Sequence, residues 1–301
     1  MLMLSSLLSA PMASSESPSA PMTKEIAPGL FMPYVNLGGV HSHPSNYSAW
    51  LAHGGVGLDT AMMYGDDVQL HVGDAIKKSG IPREKIFLTT KVPCCPEGGL
   101  GTKWCKWYDS EYPDLDAFTR GDIDLRLLGV DRVDLMLLHW PCGTITDTIK
   151  TWRALERFQK AGKARAIGIS NFNASAIDSL YAAGLSVEPV VNQCGFSIGG
   201  HNSSTLGRDD ATLAKCKEKG ITYSAYSPLG GLSHVDVLRD PRVATVAAAH
   251  HKSAAQVALR WVTQQGVVAV TASTSREHLQ SDLQIFDFSL SSEEMELLAK
   301  I

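Results

Sequence analysis

Eight short apolar runs, separated by longer amphipathic stretches, predict an α/β fold: a closed (β/α)8 TIM barrel in a single domain. Two further observations favour a closed barrel over an open sheet. No GxGxxG follows the first run, where an open dinucleotide-binding sheet usually carries it, and no linker or internal repeat divides the chain. Of the 301 residues 44% are hydrophobic, which is enough to fill the core such a barrel needs.

The runs span residues 33–38, 56–60, 86–91, 133–139, 165–170, 190–193, 221–226 and 267–271. Near-continuous apolar segments of this length suit strands buried on both faces, as in a parallel sheet. Helix signals lie between them. Asn173 precedes residues 174–181 as an N-cap, and Asp209 opens a run that ends at Gly220. Ser253 with Gln256, and Ser291 with Glu294, have capping-box spacing.

Residues 1–27 differ in composition. Ser, Pro, Ala and Met dominate, and the first basic residue is Lys24. A signal peptide needs a positive start and a transit peptide needs arginines, so a disordered leader is expected, with the barrel domain over 28–301. The expected location is cytoplasmic, with organellar targeting by the leader as the alternative. The net charge is −4 with no block of like charge, and no apolar stretch approaches the ~20 residues of a membrane span. Neither nucleic acid nor membrane is therefore an expected partner. The six cysteines are dilute, which suits reduced thiols in an intracellular protein. Cys94, Cys95 and Cys105 lie close together but lack paired Cys-x2-Cys spacing and an evident fourth ligand, so no metal site is expected.

In such a barrel the chemistry sits where strands end. The second run ends in Asp59-Thr60, with Tyr64 five residues beyond Asp59; the third ends in Lys91 and the fourth in His139-Trp140-Pro141. Ser170-Asn171 closes the fifth, Asn192-Gln193 the sixth and Tyr226-Ser227-Pro228 the seventh. Each has an ordinary structural role available: a helix cap for Asp59, a snorkelling stem for Lys91, a hydrogen-bonded core position for His139, packing for Tyr64. Ionisable groups ending three successive buried strands nonetheless converge on one small mouth. Burying unpaired charge is unfavourable, so Asp59 and Lys91 are expected to be partners.

That grouping suits carbonyl reduction, which needs hydride at carbon and a proton at oxygen. A tyrosine with a reference pKa of about 10 is a sluggish proton donor near neutrality. A nearby ammonium stabilises the tyrosinate and lowers that value, and a carboxylate holds the ammonium in place. A neutral histidine donates a hydrogen bond to the carbonyl oxygen and orients the substrate.

On these residues the chain resembles the aldo-keto reductases, from about residue 28 to 301. Counterparts of family motifs stand in order at 57–65 (GLDTAMMYG), 89–92 (TTKV), 133–141 (VDLMLLHWP), 167–172 (IGISNF), 189–193 (PVVNQ) and 225–230 (AYSPLG). The resemblance implies an NAD(P)H-dependent reductase of aldehydes or ketones, with a catalytic tetrad of Asp59, Tyr64, Lys91 and His139 and with Tyr64 as proton donor. It implies that Ser170, Asn171 and Gln193 hold the nicotinamide carboxamide and that Tyr226 stacks on the ring. Ser227, Leu229, Ser273, His278 and Asp282 are the implied contacts to the rest of the cofactor. In this family a glutamate at the place of His139 accompanies reduction of steroid carbon–carbon double bonds, so histidine points to carbonyl chemistry. The implied partner is a small-molecule carbonyl substrate, and the expected state a monomer or weak dimer.

The sequence departs from the family pattern after the eighth run. Most members that prefer NADPH show Pro-Lys-Ser, then an arginine, then Glu-Asn; here residues 271–283 read TASTSREHLQSDL. Ala272 stands in place of the lysine, His278 in place of the arginine, and Ser281-Asp282 in place of Glu-Asn. The lysine and arginine normally face the 2′-phosphate, and charge-assisted bonds are worth roughly 1.5–3 kcal/mol each. NADPH remains the expected cofactor, with weakened discrimination against NADH and Arg276 as a substitute cation.

The segment 92–115 is longer than usual for the family and holds Trp104 and Trp107. With Trp140, and with Val40 where a tryptophan is common, they form the expected substrate pocket. The alternative is that these aromatics pin the loop to the barrel. The loop 230–234 is short, and the chain ends at Ile301 without the long C-terminal loop of larger members, which suggests an open site and broad specificity. From another class, ion-channel β-subunits resemble this family and keep much of its site. The alternative function is therefore a cofactor-binding regulatory subunit with little turnover.

Overall fold

The computed structural model describes residues 22–39, 45–94 and 115–301. Val40, Trp104, Trp107, Cys95 and Cys105 lie outside them, as does most of the expected leader.

A two-stranded antiparallel hairpin comes first, β1 (Thr23–Ala27) and β2 (Leu30–Pro33). Sequence reading places residues 23–27 in the leader, but they are ordered. The alternation along Thr23–Ala27 buries Ile26, and Gly29 at φ +70° turns the chain so that Leu30 and Met32 are buried beside it. These three side chains pack on Phe87, Leu135, Leu137, Ala166, Val191 and Val268, strand residues of the barrel. The hairpin therefore extends the core of the barrel to residues before 28.

All eight predicted runs become strands of one barrel. They are β3 (Val35–Leu37), β4 (Gly57–Asp59), β5 (Phe87–Val92), β6 (Val133–Leu138), β7 (Ala164–Ser170) and β8 (Val191–Gly195). After a short ribbon of β9 (Asn202–Ser203) and β10 (Arg208–Asp209) come β11 (Thr222–Tyr226) and β12 (Val268–Thr271). The barrel closes in the order β11-β12-β3-β4-β5-β6-β7-β8, with every neighbouring pair parallel. Near-complete burial along β5, β6 and β8 matches their unbroken apolar sequence.

The helices start where their caps predict. Asn173 and Asp209 accept from the backbone N–H three residues on, opening Ala174–Tyr181 and Asp210–Glu218. Ser253/Gln256 and Ser291/Glu294 form reciprocal capping boxes. No helix of the described residues is long and apolar enough to cross a membrane.

Candidate active site

Parallel closure brings the C-terminal ends of all eight strands to one rim, so residues far apart in sequence meet there. Asp59 ends β4, Lys91 lies next to the end of β5, and His139 follows β6 directly. Tyr64 closes a one-turn 3-10 helix, Met62–Tyr64, which carries the chain back over the rim after β4.

Lys91 and Asp59 are almost fully buried and form an ion pair, with Nζ 2.5 Å from Oδ1. Nζ also donates to the carbonyl of Thr60 at 2.8 Å, and Gln193 Nε2 donates to Asp59 Oδ2 at 2.7 Å. The pair is thus hydrogen-bonded on both sides, which a buried ion pair requires. Lys91 Nζ also lies over the Tyr64 ring, 5.4 Å from its centroid.

Desolvation by itself would lower the Lys91 ammonium pKa, but its interactions with Asp59 first and then Tyr64 outweigh it and hold the value above normal. Burial raises the Tyr64 phenol, with Lys91 opposing the rise. The expected net lowering of Tyr64 by the ammonium is therefore not seen, because desolvation of the ring end outweighs the lysine. Burial, then the Lys91 charge, hold His139 well below the ordinary histidine value, so its ring is neutral near pH 7. Its Nδ1 is buried with no hydrogen-bond partner among the described residues. The Tyr64 and His139 rings meet edge to face at 5.9 Å.

A second polar cluster adjoins the first. Ser170 Oγ donates to the Gln193 carbonyl at 2.7 Å, and Asn171 Nδ2 donates to the His139 carbonyl at 2.9 Å. Tyr226 Oη donates to Asn171 Oδ1 at 2.8 Å. Asn171 at φ 63° and Ser227 at φ 55° occupy the left-handed region, uncommon for side-chain-bearing residues, where β7 and β11 end.

One cleft of about 710 Å3 joins the two clusters. Asp59, Tyr64, His139 and Trp140 line it, and so do Ser170, Asn171, Gln193, Tyr226, Ser227 and Leu229. Every one of these was expected from the sequence. Lys91 lies behind Asp59 and does not reach the wall. Gly38, Leu206 and Val270 also line the cleft and were not foreseen. A Cβ on Gly38 would come within 2.6 Å of Val270 Cγ1, so only glycine keeps this close approach. The signal for Gly38 was present in the Gly38-Gly39 pair ending the first run; Leu206 carries no such sequence signal.

The adenosine-end residues are placed differently. Ala272 lines the cleft, but Ser273, His278 and Asp282 do not. Ser273 is bound to its neighbours, its N–H donating to Ser45 Oγ and its carbonyl accepting from Asn46. His278 is exposed on the short helix Arg276–Asp282. Asp282 faces inward, is 2% exposed and accepts from Thr271 Oγ1 at 2.8 Å, and burial pushes its carboxyl up to about 6.

A polar layer behind the site was missed altogether. Thr60 Oγ1 donates to Gln69 Oε1, Gln69 Nε2 donates to Asp124 Oδ1, and Thr90 Oγ1 donates to Asp124 Oδ2 at 2.6 Å. Asp124 has no exposure, and burial pushes its carboxyl up to about 7.

The expectation of reduced thiols needs correction. Cys94 and Cys142 form a disulfide with a Cα–Cα distance of 5.3 Å, within the usual range for such bonds. The cause is the fold: β5 and β6 are neighbours, so the loops after them emerge side by side. Cys194 and Cys216 are free and buried. Dilute cysteines therefore give no support to a reducing compartment.

Comparisons with known proteins agree with this geometry. Residues 46–301 match the model of the aldo/keto reductase family. Morphine 6-dehydrogenase of Pseudomonas putida is 36% identical over 91% of this chain and 88% of its own. Glyoxal reductase of Bacillus subtilis is 35% identical over 91% of this chain and 90% of its own. An aldo-keto reductase from a deep-sea metagenome superposes with TM-score 0.76 at 30% identity, over 93% of this chain and 94% of that one. The Bombyx mori aldo-keto reductase in complex with NADP gives TM-score 0.75 at 26% identity, over 94% and 93%. With a parallel eight-stranded barrel and full-length relatives of one kind, the chain belongs to the aldo/keto reductase family and is an NAD(P)H-dependent oxidoreductase.

Proposed function

We propose that the chain reduces an aldehyde or ketone to the alcohol with NADPH, accepts NADH as well, and uses Tyr64 as the proton donor. The observation that carries the reading is that Tyr64 and His139 share one cleft with Asp59, with the buried Lys91 ammonium 5.4 Å from the Tyr64 ring centroid. A cleft of about 710 Å3 falls within the roughly 300–1,000 Å3 typical of small-molecule and cofactor sites.

The residues present fit a nicotinamide. Tyr226 offers an aromatic face, and Ser170, Asn171 and Gln193 offer amide and hydroxyl groups already aligned by their mutual bonds. Ser227 and Leu229 would border the cofactor beyond the ring, with Ala272 toward the adenosine end and Ser273 and His278 outside the cleft wall. Asp282, bound to Thr271, would support the loop rather than touch the cofactor. When bound, the reduced nicotinamide supplies hydride to the carbonyl carbon.

The chain's own groups handle the proton. Tyr64 is protonated near pH 7 because its burial disfavours the anion. Its hydroxyl, with neutral His139 beside it, hydrogen-bonds the carbonyl oxygen and fixes the substrate's orientation. As negative charge builds on that oxygen, the proton leaves Tyr64 Oη for it, and the resulting tyrosinate faces the Lys91 ammonium. Asp59 holds the ammonium through the 2.5 Å contact. Trp140 supplies an apolar wall next to His139, their rings 4.4 Å apart.

The test is a fluorescence titration with NADPH and then NADH, followed by 4-nitrobenzaldehyde as a model substrate. Binding and then loss of reduced-nicotinamide absorbance is the expected result. Binding without turnover across a panel of carbonyls would favour the regulatory-subunit reading instead.

A further inference from the structure

Lys91 and His139 each precede a cysteine of the one disulfide among the described residues by three positions. The backbone ladder between β5 and β6 runs out at the bond from His139 N–H to the Val92 carbonyl, 3.0 Å. Just beyond it, the Cys94–Cys142 bond ties the two strand ends together. The same loops are joined a second time by Trp140, whose Nε1 donates to the Cys94 carbonyl at 2.7 Å. On the other side, Thr151 Oγ1 lies 3.4 Å from Cys94 Sγ and 3.5 Å from Cys142 Sγ, and the Cys142 N–H donates to Thr148 Oγ1 at 3.0 Å. Both threonines belong to the helix Ile145–Lys160. Trp140 is thus held between the Cys94 carbonyl and the His139 ring, 4.4 Å away, and lines the cleft.

We propose that the Cys94–Cys142 disulfide is a reversible positioning element for the carbonyl end of the cleft, holding Trp140 against His139 and so setting affinity for the substrate. The inference rests on the reductase reading above. Its chemistry is thiol–disulfide exchange. A thiolate of an external dithiol attacks one sulfur and the Cys94–Cys142 bond breaks. The second thiol of the reductant then closes its own disulfide, and the two electrons and two protons it gives up leave both cysteines as thiols. With the tie open, the Trp140–Cys94 hydrogen bond no longer has a covalent link beside it, and the Trp140 wall loosens. Lys91 and Asp59 keep their pairing, which has its own bonds to Thr60 and Gln193, and neither cysteine is among the described residues that line the cleft beside Tyr226.

The bond is first located by peptide mapping of unreduced protein, alkylated in denaturant. A cross-linked peptide pair joining Cys94 to Cys142 is expected; free alkylation of both would overturn the proposal. Carbonyl kinetics follow, before and after treatment of the folded protein with dithiothreitol. Reduction is expected to raise the carbonyl KM about threefold or more, with kcat within about twofold and the NADPH Kd unchanged. The Cys94→Ser/Cys142→Ser variant should show the raised KM without dithiothreitol and no response to it. An unchanged KM on reduction, or an equal loss of NADPH affinity, would contradict a role confined to the carbonyl end. Hydrogen exchange of residues 138–144 should quicken on reduction and needs no turnover. A protein without any carbonyl turnover would sink the reductase reading, while unchanged exchange would sink the positioning role.

Discussion

Gln193 Nε2 donates a 2.7 Å hydrogen bond to Asp59 Oδ2, between strands that sit opposite each other in the barrel and from 134 residues apart in sequence. The other oxygen of the same carboxylate takes Lys91. One buried anion therefore links the ammonium next to Tyr64 with the amide assigned to the nicotinamide. On the proposed reading, the positions of the proton donor and of the cofactor ring are coupled through it.

Removing that amide should disturb both ends. Gln193→Leu leaves Asp59 Oδ2 without its donor and the carboxamide site without a partner. A charge-assisted bond worth roughly 1.5–3 kcal/mol predicts about a tenfold or greater rise in NADPH Kd, with a fall in kcat. Fluorescence titration and single-turnover kinetics measure the two; a change in kcat alone would break the proposed coupling.

The ion pair should also matter for folding. Lys91→Met leaves Asp59 buried with only Gln193 as partner, at a cost of about 3–5 kcal/mol in urea unfolding. The Asp59→Asn/Lys91→Met double variant should recover part of that loss. A single-variant loss below about 1 kcal/mol would mean that water reaches Asp59.

Asp124 predicts a pH dependence with a definite sign. Its carboxyl rises from 3.8 to about 7 in the folded protein, through burial. Between those values the folded state binds more protons than the unfolded one, so stability falls as pH rises across that window. The three-unit difference corresponds to a loss of ~4 kcal/mol, complete above about pH 7. Asp124→Asn should be less sensitive than wild type in urea unfolding compared at pH 5 and pH 8. Equal sensitivity in the two proteins would place the titration elsewhere.

Cofactor choice follows from Ala272 and His278. With no lysine at 272 and an exposed histidine at 278, the ratio of kcat/KM for NADPH over NADH is expected to stay below about a hundred. A larger ratio would point to another cation, with Arg276, also exposed, the first to substitute.

Much of this was readable in the sequence because a parallel barrel writes its strands as short apolar runs and its site as the polar residues that end them. All eight runs became strands, and Asp59 met Lys91 as the cost of unpaired buried charge requires. What escaped depends on distance in three dimensions. Cys94 and Cys142 are 48 residues apart and meet only because β5 and β6 are neighbours. Asp124 has no part in any sequence motif, and its contacts with Thr90 and Gln69 reveal an inward face. Ile26 was lost in a stretch whose composition resembles a leader, although its side chain belongs to the core.

The central claim is that Tyr64 gives the proton, and Tyr64→Phe tests it most directly, with carbonyl kcat and NADPH Kd measured on the same preparation. The account predicts that kcat drops to below about a tenth of wild type while the Kd stays within about twofold. Retention of more than about a tenth of kcat, with the cofactor bound normally, would contradict it and pass the donor's role to another group, His139 first.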